Sequence, residues 1–402
     1  MSKEKLNIVA LTRNIGFCYY YRILWPLREL EKRGLINVLG IDTTHENFIK
    51  DPGPFMADSL EWGDIFIYQY TNPSDILTRY ADLCMLEKLP KLFIAEFDDD
   101  FTRVHPTNNY YRHAGIDNVK AGGEWVWKDN DICDHLKEFV DSTEEEIKAA
   151  TFSIKRNKSR MMKMLRACIY SDAITTTTKE LGETFEKFNQ NVVVLPNYLD
   201  LSEMPEGKKK PRDHVIIGWQ GGDSHYADIR IIMPALKKIK QKYGDKVQFQ
   251  FMGAAFHNMY KELKAEHIPW AKPEEFFSKF SENLFDIGLV PIVDPEINKF
   301  NKSKSNIKWL EYSHYGIPSI VSNYKPYKQH IINGKTGLLC NTVQDWYENL
   351  CTLIDDPFLR MKMGSEAKKV VDKNFVIQNY AHRWYDFYSS AFKKKVEYLA
   401  SL

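Results

Sequence analysis

The 402-residue chain has no apolar stretch near the ~18 to 20 residues that a membrane-spanning helix needs, so no helical anchor is expected within it. Its opening, MSKEKLNIVALT, is charged and then turns directly into a strand-like run, shorter than the ~7 to 15 apolar residues of a secretory leader. A cytoplasmic location is expected, with association to the cytoplasmic face of a membrane left open. Cysteine is scarce: Cys18, Cys84, Cys133, Cys168, Cys340 and Cys351 are scattered, with no Cys-x-x-Cys pair, and read as buried thiols of a reducing compartment. Charge of one sign is missing as well. With 55 basic against 54 acidic residues, bulk charge announces no polyanionic partner, although a local patch can still bind one. Neither the Walker pattern nor Gly-x-Gly-x-x-Gly occurs, which removes the ordinary P-loop and dinucleotide fingerprints, and no internal repeat is visible.

What is present is a globular composition, 44% hydrophobic and 27% charged. The length suits two domains, because single cores usually stop growing near ~250 to 300 residues. Short apolar runs alternate with helical patterns: strands at 7–11, 36–41, 64–70 and 92–97, with helices at 20–32 and 73–86. Such alternation predicts parallel α/β layers. Residues 101–148, rich in Asn, Tyr, Trp and Gly, read as an irregular insertion over the first sheet; a basic helix at 147–171 and the runs AITTTT and VVVLPN complete that half. The polar stretch LDLSEMPEGKKKPRDH, 199–214, is the natural linker. Beyond it the rhythm starts afresh, with strands at 215–219, 247–252, 286–291 and 317–322 and a helix at 229–243. The expected organisation is a Rossmann-like domain over 1–198, a linker, a second Rossmann-like domain over 215–376, and a C-terminal helix over 377–402. Two such domains facing each other create a cleft, where small ligands bind.

Two stretches point to an anion there. The loop Gln220-Gly221-Gly222-Asp223-Ser224-His225 lies between a strand and a helix, where paired glycines let backbone approach a phosphate, or simply make a tight turn. In FNKSKSNIKWLEYSHYGIPSIVS, 300–322, Lys304, Lys308 and Glu311 fall on one helical stripe at i, i+4 and i+7, with Tyr315 continuing it. Ser305 and Asn306 suit the cap of a helix starting just after Lys304, so unpaired N–H groups stand beside two cations. Glu311 then lies ~10 Å along the axis from Lys304, a reach suited to a diphosphate at one end and sugar hydroxyls at the other. A solvated charged face is the competing reading.

The run 300–322 resembles the donor-binding region of GT-B glycosyltransferases of the broad group around family 4, in which a Glu in a helix before a Gly-x-Pro strand contacts the nucleotide ribose. GWQGGDSH with ADIRIIMPAL is similar to the first βα unit of their C-terminal domain, VVVLPNYLD to the end of their N-terminal domain, and NGKTGLLC to the turn after the donor site. One departure stands out: the family's Glu-x7-Glu pair would need an acid at 303, and this chain has Ser303. The resemblance implies a glycosyltransferase that moves a sugar from a nucleotide-sugar, with retention, to an acceptor hydroxyl on a glycan or lipid-linked saccharide. It implies donor contacts from Gly221, Gly222, His225, Lys304, Ser305, Lys308 and Glu311, with Trp270 stacked on the base or packed at a strand end. His225 reads as either a ligand contact or a satisfied surface histidine. On the acceptor side stand Arg22, facing the cleft or merely exposed, and Asp98, Asp99 and Asp100, one of which can act as base. Lys304, Glu311 and Asp99 are the catalytic candidates. The same aspartates allow a rival Asp-x-Asp metal site, but no metal or other cofactor is expected. Two further alternatives are a hydroxymethylated base in DNA as acceptor, suggested by the basic helix, and an inactive nucleotide-sugar-binding module, suggested by Ser303.

Overall fold

Parallel sheets covered on both faces require nearly continuous apolar strands, and the chain supplies two sets of them. A computed structural model of the chain describes residues 5–12, 16–43, 45–69, 74–106, 108, 110–116, 120–121, 124–125, 154–207 and 211–402. In the first half, β1 (Leu6–Thr12), β2 (Ile36–Asp42), β3 (Ile65–Gln69) and β4 (Leu92–Phe97) are followed by a two-stranded hairpin, β5 (Lys120–Ala121) with β6 (Glu124–Trp125), and then by β7 (Ala173–Thr176) and β8 (Val192–Val194). The sheet order is β2-β1-β3-β4-β7-β8, every pairing parallel. All residues of β3 and β4 are buried, and the charged or amide side chains among them, Gln69 and Glu96, sit at the carboxyl ends.

The second half contributes β9 (Val215–Gly221), β10 (Val247–Gly253), β11 (Glu266–Pro269), β12 (Ile287–Val290), β13 (Ser319–Ser322) and β14 (Leu338–Cys340). Their order, β11-β10-β9-β12-β13-β14, is the doubly wound order in which chain direction across the sheet reverses at β9 and β12. Such a reversal opens a crevice at the carboxyl ends of those strands. Gly288 in β12 lets a helix approach closely: a Cβ there would stand 2.4 Å from the ring of Tyr312. Tyr312 thereby reaches the end of the sheet, its hydroxyl oxygen accepting the Gln220 N–H at 2.9 Å.

The chain passes between the halves twice at one place. Leu199, leaving the first sheet, pairs with the segment leaving the second through Leu199 N–H to Phe375 O, 2.8 Å, and Ile377 N–H to Leu199 O, 2.9 Å. The final helix, His382–Ala400, then lies on the first sheet, where Trp384, Tyr385 and Tyr388 join Ile8, Ala10, Ile23, Leu27 and Ile94 in one core. The insertion expected at 101–148 lies largely outside the described residues. Its described start is placed differently from the reading over the first sheet alone: Phe101 meets Phe300 edge-on at 5.9 Å, and Val104 and Tyr111 join the core of the second half. The basic helix is described from Ile154 to Tyr170, so its expected start lies outside the described residues. Among the described residues no helix is long and apolar enough to cross a membrane. Trp384→Ala should lower unfolding stability by about 3–5 kcal/mol, read from denaturant unfolding, because it empties the core that attaches the last helix.

Candidate active site

The crevice at β9 and β12 is floored by Gln220-Gly221-Gly222. The chain then turns through Asp223–His225 into a five-residue helix, Tyr226–Arg230, and the long helix begins only at Met233, later than the expected 229. Gly221 matters for what it lacks. A Cβ there would stand 3.2 Å from Lys308 Cε and 2.6 Å from the Trp219 ring, so bare backbone makes the space in which the lysine lies. Gly222 lies beside Trp270, whose ring would be 3.5 Å from a Cβ at that position. Trp270 follows β11, is 47% exposed, and has Phe17 at 5.7 Å between ring centres. It is an open aromatic face at the rim.

The helix expected from Lys304 starts at Ile307 and runs to His314, because residues 299–303 form a tighter turn of their own and Lys304 is extended. Lys304 is therefore not on the helical stripe with Lys308 and Glu311; it reaches the same region from the preceding turn. The face is not solvated either: Lys304, Glu311 and Tyr315 are buried. Asn306 caps the helix by position but makes no capping bond, and its buried Nδ2 has no partner among the described residues. Lys304 Nζ lies 3.4 Å from Asp99 and 4.4 Å from the centre of the Phe300 ring. Lys308 Nζ lies 2.8 Å from His225 Nε2, and His225 Nδ1 is 2.7 Å from Asp228. His225 is thus neither on the surface nor a lone contact; it links a carboxylate to the lysine. Glu311 accepts from the Tyr21 hydroxyl at 2.6 Å and from Gln220 Nε2.

Burial dominates the ionisation of this cluster. It raises Glu311 to about 7, against the hydrogen bond from Tyr21 and the charge of Lys308. Lys308 is lowered to about 8 by burial and then by the charge of Lys304. His225 is lowered to about 3, first by burial and then by Lys308, so it is neutral. Asp99 is raised to about 6 by burial, opposed by Lys304 and reinforced by Asp98. Two ammonium groups repel each other beside carboxylates that burial disfavours as anions. A strong anion entering between them would relieve that strain.

The first half supplies the opposite wall. Its helical run 17–32 contains one π-helical turn, Tyr20–Leu24, and sends Tyr21 to Glu311. Arg22, expected to face the cleft or solvent, is 1% exposed: it pairs with Glu96 at 2.6 Å and bonds Leu195 O and Asn197 Oδ1. Its role is to hold Asn197, whose Nδ2 donates to Ser305 Oγ at 3.1 Å across the cleft. The three aspartates do not converge on one point. Asp98 reaches the thiol of Cys18, Asp99 faces Lys304, and Asp100 caps the turn Phe101–Arg103 through Thr102 while accepting from Thr184. Asp100, 1% exposed, is thus occupied by a cap and by Thr184 rather than turned towards the cleft with Asp99. Among the described residues no three His, Cys, Asp or Glu side chains are grouped to hold a metal ion. Tyr21 and Asp228 escaped the sequence reading, and Gln220 entered it only as part of the glycine loop, although Asp228 follows His225 by three positions.

No protein-family model matches the chain. Among curated proteins it is similar to the trehalose synthases of Thermococcus litoralis and Pyrococcus furiosus, each 24% identical over 174 residues. That stretch is 40% of this chain and 40% of the relative's length. Solved structures align far more completely. Sucrose-phosphate synthase from Thermosynechococcus elongatus gives a TM-score of 0.62 at 11% identity, covering 97% of this chain and 100% of that one. The fold is GT-B. Anabaena HepE in complex with UDP aligns with a TM-score of 0.57 at 12% identity over 96% of this chain and 100% of its own. A glycosyltransferase from Rickettsia africae gives 0.57 at 12% identity over 97% and 100%. At these identities the likeness carries the architecture: two Rossmann-like domains across a cleft, with the last helix returned to the first.

The raised Glu311 has a thermodynamic signature. Between its ordinary 4.5 and about 7 the folded chain holds a proton that the unfolded chain has released, so this group's contribution to stability falls as pH rises through that window. Glu311→Gln removes the term. The melting temperature of the variant, relative to the native chain, should rise steadily between about pH 5 and pH 7.5; a constant difference would show that Glu311 titrates normally.

Proposed function

We propose that the chain is a nucleotide-sugar-dependent glycosyltransferase that binds its donor in the second half of the cleft. The carrying observation is the convergence of Lys304 and Lys308, on either side of an uncapped helix N-terminus, with the buried carboxylate Glu311. In this reading the diphosphate lies against Lys304, Lys308, Ser305 and the backbone of Gly221 and Gly222. The ribose hydroxyls donate to Glu311, taking the place of the Tyr21 phenol, and the base stacks on Trp270. Support for a uridine nucleotide comes from the structural neighbour solved with UDP.

The chemistry follows from charge. As the bond between the anomeric carbon and the β-phosphate oxygen breaks, the electron pair leaves with the nucleotide, and preorganised cations stabilise it more than they stabilise the intact donor. Lys304 and Lys308 fill that role. Asp99, just beyond the carboxyl end of β4 and raised to about 6, stands on the acceptor side and can orient the incoming hydroxyl or take its proton. Asp98 lies beside it. Retention is carried over from the family resemblance. A glycan or lipid-linked saccharide as acceptor is supported by exposed Leu86, Met162 and Ile169 on the paired helices Ser74–Leu86 and Ile154–Tyr170, the second of them basic, which suit contact with an anionic membrane surface.

Lys304→Ala tests the reading. Release of free nucleotide from a panel of UDP-, GDP-, dTDP- and CDP-sugars should identify the donor for the native chain. With that donor the variant should lose roughly 100-fold or more in turnover, the scale of losing one transition-state charge contact, in a protein whose cooperative unfolding shows that it is still folded. Equal turnover in the two proteins would remove the central assignment, and no release from any donor would favour an inactive binding module.

A further inference from the structure

Asp228 is 1% exposed and touches nothing in the proposed donor site directly, yet its carboxylate is fully committed. Oδ1 accepts from the backbone N–H of Val293 at 2.7 Å and from Asn301 Nδ2 at 3.0 Å. Oδ2 is 2.7 Å from His225 Nδ1. A carboxylate placed among donors is an acceptor only, so His225 has to present a protonated Nδ1 to it. A neutral imidazole carries one ring proton. Its Nε2 is then a bare lone pair, 2.8 Å from Lys308 Nζ, and the ammonium is the donor in that contact. One of the three N–H bonds of Lys308 is thereby fixed in direction, which leaves the other two for a ligand.

We propose that Asp228 is a positioning residue: by fixing the His225 tautomer it keeps a lone pair in front of Lys308 and holds the ammonium where the donor phosphates lie. The proposal rests on the reading of Lys308 as a phosphate contact. In the opposite tautomer an Nε2–H would face the N–H bonds of a buried ammonium, and Lys308 would have to swing away. The arrangement follows the general logic of a carboxylate orienting a histidine, except that here the histidine orients a cation and takes up no proton.

The test uses Asp228→Asn, His225→Gln, their combination and Lys308→Ala in the full chain. The probe is whichever of UDP, GDP, dTDP and CDP binds the native chain most tightly, measured by calorimetry, together with kcat and KM for release from the matching sugar nucleotide. The amide introduced by Asp228→Asn can still accept from the Val293 N–H but can also donate to Nδ1, which admits the wrong tautomer. Asp228→Asn should weaken binding and kcat/KM by about 10-fold or more, on the order of the loss when a carboxylate that orients a metal-bound histidine is removed. His225→Gln, which offers Lys308 a carbonyl and has no tautomers, should lose less than Asp228→Asn does, because Lys308 keeps an acceptor in front of it. The double variant should recover to that level, because the defect of Asp228→Asn is transmitted only through the imidazole. A double variant as impaired as Asp228→Asn, or an Asp228→Asn protein with native affinity, overturns the proposal. Nitrogen-15 spectra of the native chain, with the His225 signals assigned by difference from His225→Gln, provide a readout that no folding defect can obscure: a protonated Nε2 refutes it outright. Unchanged affinity in Lys308→Ala is a separate failure, that of the phosphate reading itself.

Discussion

Glu311 is a carboxylate almost without access to water, and such a group is costly unless donors surround it. Here the donors come from both halves of the molecule: Tyr21 from the helical run after β1, and Gln220 from the end of β9. Tyr21 is in place because its neighbours are seated in the second half. Trp25 packs at 5.7 Å from Phe277 and Phe17 at 4.8 Å from Phe276, so the run from the first half is part of the aromatic core beneath the helix Ile307–His314. The position of one carboxylate thus depends on how the two sheets are docked, and the docking depends on a wall of phenylalanines.

Around Glu311 the charges are arranged in tension rather than in neutral pairs. Lys308 stays a cation with difficulty, Glu311 an anion with difficulty, and His225 scarcely accepts a proton at all. Lys304 has a direct carboxylate neighbour, Asp99, and that neighbour sits on the far wall. Desolvation strengthens each of these interactions, so the same burial that sets the charges against one another would make them effective on a dianion lying between the lysines.

Much of this was legible from the sequence because it rests on local pattern. Alternating apolar runs marked the two sheets, and Lys304, Lys308 and Glu311 in one segment before a Gly-Ile-Pro turn marked the crevice. What local pattern could not supply is registration across distance. Arg22 reads as a cleft or surface residue because its partner Glu96 is 74 positions away, and only the fold brings the pair together. Asp100 looks equivalent to Asp98 and Asp99 until a tight turn claims it as a cap. The helix that carries Lys308 and Glu311 starts at Ile307 rather than just after Lys304: Ser305 and Asn306 look like caps, whereas the chain spends residues 299–303 on a separate turn. Tyr21 was invisible for the same reason as Arg22: its partner lies 290 positions away.

The double crossing between the halves has a mechanical side. Leu199 and the segment 375–377 are hydrogen-bonded to each other where they pass from one body to the other, so the two connections cannot lengthen or slide independently. Joined in this way they form one narrow crossing rather than a pair of separate tethers. Were the cleft to part, that single crossing would act as the axis, and a small angle there would become a larger gap at the far lip.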